Sequence, residues 1–111
     1  MTQTTQAIVI RAYGGPEALM LEDVPLPAPG PGELLVRQTA AGVNFHDIYV
    51  RSGSYRTLAL PGIPGLEGVG VVEAMGEGVT GFVPGDRVAY IERKYGGYAR
   101  ARVVDAALVV P

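Results

Sequence analysis

The side chains best suited to ligand chemistry lie close together, between residues 42 and 55. Asn44 offers an amide, Tyr49 and Tyr55 offer two phenols, and Arg51 offers a guanidinium. Amide and phenol groups can hydrogen-bond the oxygens of a planar ligand, and a phenol ring can also stack on its face. Tyrosine is also a packing residue with an apolar body and a polar tip, and the pattern alone favours packing for both tyrosines.

Three further side chains, His46, Asp47 and Glu67, could act as a base or bind a metal ion as a facial triad. The chain has one histidine and no cysteine, so a zinc site of nitrogen and sulfur ligands is close to excluded. The simpler interpretation is that His46 packs or caps a helix. Asp47 would then pair with Arg51 four residues later, or both would line a polar pocket. Glu67 would lie at a turn surface, or in a polar site with Arg51 or Arg56 as its partner.

One glycine motif could suggest a dinucleotide site. The stretch Gly76–Gly81 matches G-x-G-x-x-G and follows a predicted strand. In a dinucleotide fold, this motif opens a helix whose N-terminal amides hold the pyrophosphate. Pro84 and Gly85 follow here and prevent a helix of useful length, so we interpret the motif as a turn.

The elements that must position these residues are short and interrupted by many turns. The chain has 16 glycines and 9 prolines among 111 residues, yet 48% of its residues are hydrophobic, which is typical of a mainly β domain. The strands could close into a barrel or a curled sheet, which would hide most edges. The predicted strands are Ala7–Ile10, Leu19–Val24, Leu34–Ala41, Gly68–Met75, Arg87–Ile91, Tyr98–Val104 and Ala107–Val110. We expect the proline-rich segment 25–32 to form no strand.

One short helix is predicted over residues 44–51. Asn44 is a good N-cap, Asp47 lies near the helix N-terminus, and Gly53 supplies a C-terminal stop. A helix of about two turns needs tertiary packing. Phe45, Ile48 and Tyr49 provide it with an apolar side.

Charge and hydropathy exclude several classes of protein. The net charge is −2 and the pI is about 5.3, with no basic stripe for a phosphate backbone, so we expect no nucleic-acid partner. No apolar run approaches the length of about 20 residues that crosses a membrane. The first residues lack the basic and apolar regions of a signal peptide, so we expect a cytoplasmic protein without membrane association.

Five stretches of the sequence, in order, carry a resemblance to one enzyme family. The longest is Gly42–Tyr55, which resembles GVN-x-x-D-x-Y-x-R-x-G-x-Y. The others are Gly14–Leu19 (like GGPEVL), Pro64–Val72 (PG-x-E-x-x-G-x-V), Gly78–Val88 (a GV turn and GDRV) and Gly96–Ala99 (GGYA). The sequence thus resembles the quinone oxidoreductases of the zeta-crystallin type, in the zinc-independent branch of the medium-chain dehydrogenase/reductase superfamily.

The resemblance implies a fold and a site. Residues 1–111 would form a GroES-like, partly open barrel, and the Rossmann domain that binds NADPH in the family is absent from this chain. Asn44, Tyr49 and Tyr55 would face the cofactor and substrate, with Arg51 orienting Asp47 or the substrate. Asp47 and Glu67 would belong to a structural polar network. No metal is expected, because Asn44 and Leu66 stand where the zinc-dependent relatives place cysteine and histidine.

The function that the resemblance implies is NADPH-dependent reduction of quinones or conjugated carbonyls by hydride transfer without zinc. No residue is assigned as catalytic, because the chain has no obvious nucleophile or acid–base pair. The complete protein would bind a small quinone or enone and form a homodimer, and the 111-residue chain alone would be inactive. Alternatives are an enoyl-thioester reductase of the same superfamily, a stand-alone co-chaperonin barrel, and a non-catalytic lens or nucleic-acid-binding relative.

Overall fold

Two antiparallel sheets organise the chain in the computed structural model, which describes residues 3–111. The first sheet is a hairpin of β1 (Gln3–Val9) and β2 (Met20–Leu26). The second has five strands in the order β6-β3-β4-β5-β7 and curls into a half-barrel. Its strands are β3 (Glu33–Ala41), β4 (Glu67–Met75), β5 (Arg87–Ile91), β6 (Ala101–Asp105) and β7 (Val109–Val110). The predicted mainly β, partly open barrel is therefore confirmed.

The core fills the inside of the curled sheet. Along β5, Val88 and Tyr90 are buried while Arg87 and Ile91 are exposed, as expected for a strand with one face turned inward. Every strand of the five-stranded sheet contributes to the same cluster of buried side chains. Its members are Leu34, Val36, Val72, Val88, Tyr90, Val104 and Val109.

The pairing of β3 with β4 explains Gly70 in β4. The register of this pair shifts between Leu35 and Val36 and again between Gln38 and Ala40. At the second irregularity, a Cβ atom on Gly70 would lie 2.9 Å from the carbonyl carbon of Arg37. Only glycine lets the two backbones approach so closely, as the strand glycines indicated.

The strand bounds differ from the sequence prediction at the hairpin. β2 continues through Pro25 and Leu26, which the proline-rich pattern had excluded from any strand, and β1 begins at Gln3 opposite Leu26. β2 is an edge strand, and edge strands tolerate proline because an N–H that points away from the partner strand makes no ladder hydrogen bond. Near the other end, residues 106–108 form a 3₁₀ turn capped by Asp105 and not a strand.

The helix α1 spans Phe45–Ser52, close to the predicted range. Asn44 has extended backbone geometry at the N-cap, and Gly53 ends the helix in the left-handed region with φ of 90°. Two short 3₁₀ turns, Pro16–Ala18 and Ala106–Leu108, complete the elements. None of the helices within residues 3–111 is long and apolar enough to cross a membrane.

Candidate functional site

The helix α1 directs its apolar side outward and a carboxylate inward. Asp47 is 5% exposed and Val50 is fully buried, three residues further along the same side. Phe45 is 78% exposed and Tyr49 is 44% exposed, with Ile48 exposed between them. The apolar side that the sequence provides for packing therefore faces away from the domain. This is the reverse of an ordinary surface helix, whose apolar stripe faces the core.

Hydrogen bonds hold the buried side of α1 in place. One carboxylate oxygen of Asp47, Oδ2, accepts from the backbone N–H of Asn44 at 3.0 Å and from the Tyr98 hydroxyl at 2.6 Å. Burial, and then the bond and charge of Asp47, raise the pKa of Tyr98 above its usual range. The other oxygen, Oδ1, is buried without a partner among residues 3–111. Asp47 thus ties the start of α1 to the segment that leads into β6.

Two tyrosines at the end of α1 form an exposed aromatic pair. The ring centroids of Tyr49 and Tyr55 are 5.1 Å apart with planes inclined at 55°. The backbone N–H of Tyr55 donates to the carbonyl of Tyr49 at 3.1 Å, which brings the loop after α1 back onto the helix. Tyr55 is 46% exposed and Asn44, at the other end of α1, is half-buried. The structure therefore places these three predicted residues on one helix and its adjoining loop.

Arg51 is engaged by the backbone near the first hairpin. Its Nε donates to the carbonyl of Gly14 at 3.2 Å, and the Gly14 N–H donates back to the Arg51 carbonyl at 3.0 Å. An ion pair between Arg51 and Asp47 is not formed within the described part of the chain, where the ion pairs are Arg11–Glu22 and Arg37–Glu73. Arg51 therefore anchors the end of α1.

Glu67 takes no part in the hydrogen bonds of Asp47. Its backbone carbonyl accepts from the Gly42 N–H at 3.1 Å, and its half-buried side chain makes no hydrogen bond or ion pair with residues 3–111. The alternative partner, Arg56, lies over the ring of Tyr13 at 4.8 Å. Glu67 lines an apolar cavity of about 750 Å³ against β3, β4 and β5, and Asn44, Tyr49 and Tyr55 do not line it.

Two residues of the site were missed by sequence reasoning. Tyr98, from the GGYA motif, is the hydroxyl donor to Asp47. Tyr95 is buried just before that motif, and its hydroxyl lies 2.9 Å from Nε2 of His46. A tyrosine next to paired glycines was the available signal. Residues 3–111 contain no cluster of three histidine, aspartate or glutamate side chains suited to a metal ion.

The glycine motif at residues 76–81 is a turn, as predicted. β4 ends at Met75, and the next element is β5, so no helix follows the motif. The chain therefore presents no helix N-terminus at this position to hold a pyrophosphate.

A family model for the alcohol dehydrogenase GroES-like domain matches residues 30–111. The chain belongs to this family. It is 48% identical over 97 residues to a quinone oxidoreductase of Pseudomonas aeruginosa, covering 87% of this chain and 30% of the relative. The quinone oxidoreductase of Rattus norvegicus is 45% identical over 96 residues, covering 85% of this chain and 29% of the relative. The resemblance to zeta-crystallin-type oxidoreductases of the medium-chain superfamily is confirmed.

Solved structures show the same fold. A quinone oxidoreductase of Pseudomonas syringae matches with a TM-score of 0.89 and 45% identity, over 96% of this chain and 33% of that one. A human synaptic vesicle membrane protein VAT-1 homolog-like protein matches with a TM-score of 0.93 and 35% identity, over 97% and 35%. The chain spans about 30% of the length of the curated relatives named above.

Proposed function

We propose that the protein carrying this chain reduces quinones or conjugated carbonyls with NADPH, and that this chain supplies the wall facing the substrate. The observation that carries the proposal is the outward apolar face of α1, with Phe45, Ile48 and Tyr49 exposed beside Tyr55. Contiguous exposed apolar surface marks a contact site, and aromatic surface suits a flat ligand. The relatives named quinone oxidoreductase support the same substrate class.

The side chains of this wall offer binding and orientation. The Tyr49 and Tyr55 rings can stack on a quinone, and their hydroxyls can donate to the oxygen on which negative charge develops. The half-buried Asn44 can donate its amide N–H to the substrate or the nicotinamide. Holding the acceptor ring in one orientation and excluding water lowers the barrier to transfer.

In this proposal, NADPH meets this chain at its nicotinamide end. When bound, it supplies the hydride. The solved structure of mycobacterial Rv1454c is described as complexed with NADPH and is 44% identical to this chain at a TM-score of 0.85. Within the described residues, the glycine motif at 76–81 leads to no helix that would hold the pyrophosphate.

Zinc does not fit the donor groups of this chain. The fold can hold metal, because a thermostable alcohol dehydrogenase from Pyrobaculum aerophilum described as cobalt and zinc bound matches at a TM-score of 0.88 and 34% identity. This chain has no cysteine, however. Asn44 and Leu66 stand at the two positions where the zinc-dependent relatives, by the family resemblance, carry cysteine and histidine as zinc ligands. In the nearby Asp47, Oδ2 accepts from Asn44 and Tyr98, which leaves a single carboxylate oxygen, Oδ1, without a partner among residues 3–111. We therefore propose a reaction without zinc.

The conjugated carbonyls enter the proposal through a second relative. The 2-haloacrylate reductase of a Burkholderia species is 39% identical over 107 residues, covering 94% of this chain. A haloacrylate is an alkene conjugated to a carboxyl group, so it shares with quinones an electron-poor carbon that accepts hydride.

The test measures NADPH oxidation by the full-length protein with a quinone, a conjugated enone and a crotonyl thioester. We expect turnover of the first two. Tyr49→Leu removes the stacking ring and should raise KM about twofold to tenfold, whereas Tyr49→Phe retains the ring and should not. If the protein reduces neither the quinone nor the enone with NADPH but does turn over the crotonyl thioester, the enoyl-thioester alternative replaces the proposal.

A further inference from the structure

Three segments of the chain meet at the hydroxyl of Tyr95. His46 approaches from α1, with Nε2 at 2.9 Å from the Tyr95 hydroxyl. Thr57 approaches from the loop after α1, and its hydroxyl also hydrogen-bonds that of Tyr95. Tyr95 itself lies on the connection between β5 and β6. The helix, its following loop and the connection between β5 and β6 are therefore joined through one buried phenol.

We propose that His46 is a positioning residue for Tyr49 and Tyr55, which we call the aromatic wall. Through Tyr95 and Thr57, His46 holds the loop that carries Tyr55. This inference rests on the proposed function and deepens it, since Tyr55 is a substrate-facing residue there. The His46 ring centroid lies 5.3 Å from that of Tyr55, and the Tyr55 centroid lies 5.1 Å from that of Tyr49. A displaced His46 would therefore displace both tyrosines.

The backbone of Tyr95 shows that its position is constrained. Among residues 3–111 it is the only residue other than glycine with positive φ, at 67°. A bulky side chain adopts this conformation only where its surroundings impose it, and such residues cluster at functional sites. The next residue is also held, because the Gly96 N–H donates to the carbonyl of Ile63 at 2.9 Å. Tyr95 is thus a fixed point against which His46 and Thr57 can set the loop.

The three side chains form a chain of hydrogen bonds that is satisfied with either neutral form of histidine. With the imidazole proton on Nδ1, Thr57 donates to Tyr95 and Tyr95 donates to Nε2. With the proton on Nε2, the direction reverses and Thr57 accepts. In either arrangement one hydrogen atom lies between each pair of neighbouring polar atoms, so both hydrogen bonds are formed. The contact with Tyr95 therefore requires a polar atom at the Nε2 position of His46, whether that atom donates or accepts.

The position of that atom provides the test. The side-chain amide of Gln reaches about as far as Nε2, whereas that of Asn ends near Nδ1. In the full-length protein we expect His46→Phe and His46→Asn to raise KM for a two-ring quinone about threefold to tenfold, with kcat within about twofold. His46→Gln should restore the KM of the parent protein. Thr57→Val should resemble His46→Phe.

Tyr90→Phe is the matched control, because it removes another buried hydroxyl, bonded to Gln38, outside this set of contacts. It should leave KM unchanged. The inference is overturned if His46→Gln is no better than His46→Asn, or if Thr57→Val and His46→Phe leave KM unchanged. If His46→Phe does not fold, the comparison of Gln, Asn and Thr57→Val decides.

A second measurement separates this inference from the proposed function. The full-length protein is labelled with 3-fluorotyrosine, and the Tyr55 signal is assigned by its loss in Tyr55→Phe. We expect Thr57→Val and His46→Asn to shift or broaden the fluorine signal of Tyr55, and Tyr90→Phe and His46→Gln to leave it in place. A shifted signal in a protein that reduces no quinone refutes the function alone. An unshifted signal in an active reductase refutes the positioning role alone.

Discussion

Replacing Tyr98 by phenylalanine is expected to destabilise the fold through Asp47. The Tyr98 hydroxyl donates to Oδ2 of Asp47 at 2.6 Å, and Oδ1 of the same carboxylate is buried without a partner among residues 3–111. The substitution removes one of the two hydrogen bonds that the carboxylate accepts. Asp47, which is 5% exposed, would retain only the Asn44 N–H. A buried carboxylate deprived of a donor is more costly than the missing contact alone.

The expected magnitude follows from the charge of the acceptor. A hydrogen bond to a charged group contributes about 1.5–3 kcal/mol, against about 0.5–1.5 kcal/mol for a neutral pair. Unfolding entropies of about 2.1 cal/mol/K per residue give about 0.23 kcal/mol/K for this 111-residue chain. One kcal/mol therefore corresponds to about 4 °C, and Tyr98→Phe should lower Tm by about 6–13 °C.

Thermal unfolding followed by circular dichroism measures this shift. Tyr13→Phe is the control, because the Tyr13 ring keeps its contact with Arg56 and its hydroxyl makes no hydrogen bond among residues 3–111. It should stay within about 2 °C of the parent. In a double-mutant cycle with Asp47→Ala, the Tyr98 effect should disappear. If Tyr98→Phe melts like Tyr13→Phe, or if its effect persists without Asp47, the contact does not stabilise the fold as argued.

Three more predictions concern the pH dependence of stability, the glycine that ends α1 and the metal dependence of the reaction. Because the pKa of Tyr98 is raised in the fold, the contribution of Tyr98 to stability is complete below about pH 10 and falls as the pH rises further toward the folded pKa. Urea midpoints measured against pH should show this loss of stability. In Tyr98→Phe, the share of the loss that comes from Tyr98 should be absent. Gly53 and Gly78 both have positive φ, and replacing Gly78 by alanine should lower stability by about 1–2 kcal/mol. Gly53→Ala should lower stability further, because a Cβ atom on Gly53 would also lie 2.9 Å from the Tyr13 ring, whereas one on Gly78 would meet no atom. Equal urea midpoints for the two variants would contradict this. Quinone reduction by the full-length protein should persist in a chelator, and loss of activity that zinc restores would contradict the reaction without zinc.

Local signals predicted the helix well. The N-cap preference of Asn44 and the left-handed backbone at Gly53 depend on neighbouring atoms alone, so both ends of α1 lie within one residue of their predicted positions. The strand Arg87–Ile91 was predicted with its observed bounds, since a Pro-Gly turn precedes a run that alternates between buried and exposed. These features require no knowledge of the rest of the fold.

The parts of the site that depend on distant contacts could not be predicted in the same way. Tyr98 and Asp47 are 51 residues apart, and nothing local indicates that they meet. Pro25 could be placed in a strand only with the knowledge that β2 is an edge strand. The periodicity of Phe45, Ile48 and Tyr49 indicated an apolar side of α1, but a periodic pattern does not say which neighbour, if any, covers that side.

The orientation of α1 links the stability of the fold to its proposed use. A helix held by its apolar stripe would bury Phe45 and Tyr49 and offer only polar side chains to a ligand. Here the buried Val50 and the polar contacts of Asp47 and Arg51 hold the helix from beneath, so its aromatic side stays exposed. Substitutions on the buried side should therefore lower stability first, and substitutions on the exposed side should change substrate KM first. His46 lies between the two sides, which is where a side chain can transmit the position of the connection between β5 and β6 to Tyr49 and Tyr55.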